Sequence, residues 1–153
     1  MRALLLLSLA AACSSPRRAP AAHPDDARRR DDPSRLYVEL DVRGSHQRPL
    51  RAGAKAGLAR IPFVVQHPLH RGGDVELQVE VARLDAVGHE TVCEIKILVL
   101  RLPEHDLFGM ARGSARAGGT HDQAADDCVE RLGTTLIGGD VRAALHRRLA
   151  EKR

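Results

Sequence analysis

Aromatic side chains are nearly missing from this chain. Its 153 residues hold no tryptophan, one tyrosine and two phenylalanines, 2% in all. Single-stranded nucleic acids and sugars are commonly held on aromatic faces, so platforms of that kind are excluded. Long apolar runs are missing too, and none approaches the roughly 20 residues of a transmembrane helix. Cysteine is scarce, with Cys13, Cys93 and Cys128 only. No two are spaced as C-x-x-C, which excludes a thioredoxin-type redox motif, and the set does not make a zinc finger. Gly113 to Gly119 match neither a Walker loop nor a dinucleotide fingerprint in spacing. The remainder is ordinary: 43% hydrophobic and 29% charged residues fit one globular domain.

The net charge of +4 hides an asymmetry. Residues 35–72 carry seven basic and two acidic groups, whereas residues 73–140 carry six basic and thirteen acidic groups. The last thirteen residues turn basic again through Arg142, Arg147, Arg148, Lys152 and Arg153. A nucleic-acid binder would show one basic face with interleaved readers, so no nucleic-acid partner is expected. Cations at a helix C-terminus suit its dipole, which accounts for the basic end.

Met1-Arg2 precedes an apolar run from Ala3 to Ala12 with five leucines. Ten helical residues span about 15 Å, half a bilayer core, so the run fits a secretion signal over residues 1–12. Ala10-Ala11-Ala12-Cys13 resembles a bacterial lipobox, with Ala10 where that pattern usually has leucine. The resemblance implies cleavage before Cys13, a diacylglycerol on its thiol and an acylated amine. Two or three acyl chains anchor stably where one does not. Ser14 after the lipidated residue implies the outer membrane by the enteric rule. Cleavage by an ordinary signal peptidase and a cytosolic chain with a chance apolar start are the alternatives.

Residues 14–34 hold four prolines, five arginines, four aspartates and no apolar residue larger than alanine. Such a segment cannot form a core and reads as a disordered tether. With Cys13 it forms the span 13–34, with a root-mean-square reach of roughly 25 Å.

A folded domain is expected over 35–153. Leu36, Val38, Leu40 and Val42 alternate with polar residues, as a half-buried strand requires. Residues 49–60 suit a short helix after Pro49, weakened by Gly53 and Gly57. Ile61, Phe63, Val64 and Val65 suit an edge strand. Val75, Leu77, Val79 and Val81 form one inward face, and Thr91, Cys93, Ile95, Ile97 and Val99 the next, around a turn at 86–89. Leu98, Leu100 and Leu102 break the alternation, which predicts burial of both faces there. A loop and a strand of small residues follow to Thr120. A helix capped by His121 or Thr120 carries Ala125, Cys128, Val129, Leu132 and Leu136 on one face. Gly138-Gly139 is expected to interrupt it, and Asp140 to cap a last helix. The sum is an α+β domain of two layers, a mainly antiparallel sheet with helices on one face.

Cys93 and Cys128 both point inward and could meet as a disulfide if that helix covers that sheet. His67, His70 and His105 are the candidate metal or catalytic residues, and they support a small enzyme or metal protein as the alternative function. No further metal ligands are identifiable, and no nucleophile stands in a recognisable setting. Ser114 lies in Arg-Gly-Ser-Ala-Arg, which lacks the second glycine of a nucleophile elbow. The chain is therefore read as a non-enzyme, with no catalytic residue, metal or cofactor.

The hairpin, the segment Phe108 to Ala115 and the helix start Asp127 to Leu132 resemble a group of uncharacterised lipoproteins of GC-rich proteobacteria. In architecture alone the domain is also similar to lipoproteins that activate penicillin-binding proteins and to the N-terminal domain of TolB-type proteins. These resemblances imply an envelope protein, anchored in the membrane through Cys13, facing the periplasm and binding an envelope protein partner. They bring no activity.

Overall fold

The computed structural model describes residues 32–153. The expected signal segment, Cys13 and the expected tether up to residue 31 lie outside them. The elements are β1 (Leu36–Arg43), α1 (Gln47–Ala59), β2 (Val64–His67), β3 (Val75–Val87), β4 (Glu90–Arg101) and β5 (Asp106–Gly118). They are followed by α2 (Asp122–Leu136), a π-helical turn (Ile137–Val141) and α3 (Arg142–Lys152).

The strands form one sheet in the order β2-β1-β3-β4-β5. The antiparallel pairings are the long ones. β3 pairs with β4 from Val75↔Arg101 to Val87↔Glu90, and β4 with β5 from Glu90↔Gly118 to Arg101↔Asp106. β1 lies parallel to both β2 and β3, in shorter ladders. A parallel neighbour needs a crossover connection, and α1 supplies it between β1 and β2.

Alternation decides which side is covered. Leu36, Val38, Leu40, Val42, Val75, Leu77, Val79, Ile95, Ile97 and Val99 share one core with the helices. Leu50, Ala54 and Leu58 of α1 and Val129, Leu132 and Leu136 of α2 belong to that core. Fully burying one such side chain contributes roughly 1.5–3 kcal/mol. The opposite face carries Asp41, Gln78, Lys96 and Arg112, all at least partly exposed. This is the expected two-layer α+β domain.

Three local expectations change. α1 begins at Gln47 rather than after Pro49, which sits in its first turn, where proline is tolerated. Gly53 and Gly57 do not merely weaken α1. They let it cross α2 in backbone contact. A Cβ on Gly53 would lie 2.2 Å from the Glu130 carbonyl oxygen, and one on Gly57 would lie 2.8 Å from the Ile137 Cβ. The Thr134 hydroxyl donates to the Gly53 carbonyl at 3.1 Å across the same crossing. Finally, Gly138-Gly139 does not break the helix, and Asp140 caps nothing. The chain stays helical through the π turn into α3. Ile137 and Val141, one on each side of the glycines, are both buried in the core and hold the turn helical.

Candidate functional site

Cys93 and Cys128 are joined as a disulfide, with Cα atoms 6.1 Å apart. Cys93 sits on the inward face of β4 and Cys128 on the inward face of α2, so the bridge ties the sheet to the helix covering it. His121 caps α2, its Nδ1 accepting the Ala124 N–H at 3.0 Å.

The three candidate histidines fall at one end of the sheet. His67 is in β2, in register with Glu39 of β1, and its ring packs edge-on against Tyr37 at 5.8 Å. His70 and His105 are turn residues with left-handed backbone, φ 59° each. His105 Nδ1 lies 3.4 Å from a carboxylate oxygen of Glu76. Among the described residues, no group of three or more His, Cys, Asp or Glu is placed to hold a metal ion. Ser114 lies on β5 opposite Glu94.

What the histidines surround is a pair of buried carboxylates that the sequence reading missed. Glu39 is 1% exposed and Glu76 is 3% exposed. They are neighbours in register across β1 and β3. A buried carboxylate must be hydrogen-bonded or its desolvation goes uncompensated. Glu39 accepts the backbone N–H groups of His70 at 2.6 Å, Arg71 at 3.2 Å and Gly73 at 2.7 Å. It thereby pins the 68–73 loop against the sheet. Gly73 is required for the close approach, since a Cβ there would lie 2.8 Å from the Glu39 Cγ. Glu76 accepts the Gln78 side-chain amide at 2.8 Å and lies 4.0 Å from Arg43. Both carboxylates thus hold loops and neighbours in place. The only hint in the sequence is that Glu39 and Glu76 occupy outward positions in adjoining strands.

The rest of the uncovered face is graded. Lys96 pairs with Glu80 at 3.4 Å, and Arg112 with Glu94. The hydrogen bond from Arg112 holds the Glu94 carboxyl below the ordinary glutamate range, and Glu94 in turn raises Arg112. Beside this ladder, a depression of about 230 Å³ is lined by Arg43, Gln78, Glu80, Lys96 and Leu98. Toward the end that carries Glu76 and His105, β4 and β5 become apolar. Leu98 faces Met110, and Leu100 faces Leu107. Leu100 is buried, but Leu98 is only half-buried, so the expectation of two buried faces holds for one of these leucines. Met110 is 63% exposed and Leu107 64%.

These features define a class: a two-layer α+β domain, bridged by a disulfide, with one sheet face and the β5 edge uncovered among the described residues. No family model and no curated protein matches the chain. Solved structures do share its fold. A Xanthomonas campestris protein of the family model DUF330 superposes with a TM-score of 0.54 at 10% identity, over 75% of this chain and 89% of that one. A PelC dodecamer from Paraburkholderia phytofirmans gives 0.50 at 11% identity, over 72% and 87%. Lipoprotein GNA1162 from Neisseria meningitidis gives 0.44 at 11% identity, over 73% and 96%. At these identities the likeness to the first two concerns the fold alone, and nothing is argued from the third.

Proposed function

We propose that this chain is a non-catalytic lipoprotein of the cell envelope, anchored through Cys13 in the outer membrane. Its α+β domain faces the periplasm and binds a protein partner there. The observation that carries the binding role is the uncovered β4–β5 half of the sheet, where Met110 and Leu107 expose large apolar side chains. Exposed apolar groups beside a charged ladder are the composition of a protein interface, apolar at its centre and polar at its rim. The anchor rests on the Ala10-Ala11-Ala12-Cys13 pattern. Export is supported independently by the Cys93–Cys128 bridge, because structural disulfides persist in oxidising compartments.

Intact mass of the mature protein from its native host tests the anchor. A chain starting at Cys13 with added acyl mass is expected, and an unacylated chain overturns it. A photo-cross-linker at Met110 tests the binding role. Capture of one envelope protein is expected, and cross-links to lipid or to nothing count against it.

A further inference from the structure

We propose that the free edge of β5 and the adjoining flank of α2 form a groove that takes an acidic, extended segment of the partner as a sixth strand. The proposal rests on the partner-binding part of the reading above and is independent of the lipid anchor.

β5 ends the sheet. It runs for 13 residues, whereas β2 at the other end has 4. Among the described residues, the outer edge of β5 pairs with no strand. A row of unpaired N–H and C=O groups is a template for strand addition. The usual shields are weak here. No proline interrupts the strand, and Ala111, Gly113, Ala115, Ala117 and Gly118 leave much of it without bulk.

The edge is also walled. Ser114, Ala115 and Arg116 on the strand side, with Arg131, Leu132 and Thr135 on the helix side, enclose about 260 Å³. Residues 131, 132 and 135 lie on one stripe of α2, because positions three and four apart share a helix face. Cys128, one turn earlier on that stripe, is bridged to Cys93, so the wall is held at a set distance from the sheet. A strand laid on β5 would place alternate side chains against Ala115 and Leu132, which favours small apolar residues at those positions.

Charge selects the occupant. The two ionised residues lining the groove, Arg116 and Arg131, have the same sign. Arg131 donates to its own helix at the Asp127 carbonyl and makes no ion pair among the described residues. Arg116 reaches Glu90 at 3.3 Å on the exposed rim, a pairing that a closer carboxylate can replace. A second copy of this chain is disfavoured in two registers of the strand pair. Two-fold antiparallel pairing of β5 centred on Ser114 would set Arg112 opposite the other copy's arginine, and centring on Arg112 sets that residue against itself. Like charges directly opposite destabilise a strand pair.

The test uses the full-length chain, labelled with nitrogen-15 in detergent, and two synthetic peptides. One alternates valine with glutamate, the other valine with lysine. The acidic peptide is expected to bind with Kd below about 1 mM. It should shift amide signals of β5 and of α2 near Thr135, and slow amide exchange at alternate β5 residues. The double variant R116E/R131E should lower its affinity at least roughly tenfold and favour the lysine peptide. T135W, which fills the groove from an exposed helix position, should block both while leaving the remaining spectrum unchanged. Equal binding of both peptides overturns the proposal, as do shifts confined to the Met110 face or to α1, or no binding at several times that concentration. A dimer whose β5 amides are protected without peptide also overturns it. If the groove fails while cross-links from Met110 still capture an envelope protein, the partner-binding reading survives. If those cross-links fail as well, it falls too.

Discussion

The two faces of the sheet are made by the same strands and have opposite economies of contact. On the covered face, Ile95, Ile97, Leu77 and Val38 are fully buried against helices that approach to backbone contact through Gly53. On the uncovered face, the buried charged groups are Glu39 and Glu76, and each holds its place through hydrogen bonds and charge. The covered face is where a lost methyl or an added one is felt throughout the fold. The uncovered face tolerates change along most of its length, and its specific features are local. On the proposed reading, stability and recognition belong to different sides of five strands.

Substitutions should separate the two sides, and the largest effects belong to the covered one. Replacing Cys93 and Cys128 together by alanine removes a cross-link between residues 35 apart in sequence. Loop-closure entropy puts the loss at about 4 kcal/mol, to be read from the urea midpoint of the oxidised and variant proteins. Gly53→Ala drives a methyl into the Glu130 carbonyl and should cost about 3 kcal/mol, the upper end of ordinary overpacking. Gly138→Ala is its control. Nothing lies within 4 Å of a Cβ there, and the site should gain up to about 1 kcal/mol from helix propensity. Equal effects at the two glycines would show that the α1–α2 crossing is looser than described.

Much of the covered face is legible in the sequence. Period-two apolar residues mark β1, β3 and β4, and the 125–136 stripe marks α2, because burial on one side leaves an unambiguous imprint. Reading Cys93 and Cys128 as inward-facing makes their pairing possible without deciding it, because it depends on that helix covering that strand. The errors come from tertiary context. Gly53 and Gly57 look like poor helix residues until another helix needs their missing side chains. Gly138-Gly139 looks like a break until Ile137 and Val141 are seen to be buried on both sides of it. The uncovered face is less legible. Glu39 and Glu76 read as ordinary outward charges, because their partners are backbone amides and side chains brought in by later loops. Only the break in alternation at Leu98 signals the apolar end of that face. The parallel placement of β1 leaves no local trace, since register between distant strands is set by the whole sheet.

On the uncovered side the expected effects are smaller and more specific. Glu39→Gln keeps the shape but removes the charge that three loop amides share, and should cost about 2 kcal/mol. Limited proteolysis should then cut within 68–73 first. A cut elsewhere would show that Glu39 does not pin that loop. Met110→Ser should change stability by no more than about 0.5 kcal/mol, as is usual for an exposed site. It should nevertheless weaken capture of the partner, and a variant that captures as well as the parent would move the interface away from the Leu98–Met110 rows.

The smallest effect should come from Arg112→Ala, and its sign is fixed. Glu94 titrates below the ordinary glutamate range, chiefly because Arg112 hydrogen-bonds its ionised form. A carboxyl depressed in the folded state adds stability above its unfolded pKa and loses it as pH falls through the folded one. Removing Arg112 should therefore return the Glu94 titration upward toward the ordinary range, followed by carboxyl carbon shifts in NMR. Stability near neutral pH should drop slightly, and the difference from the parent should vanish in acid, where Glu94 is protonated in both. Salt should weaken the contrast, because the pair is exposed and screened. A Glu94 titration that does not move would mean the ladder of charges is a set of independent surface groups, and the uncovered face would then have no ordered polar rim beside its apolar end.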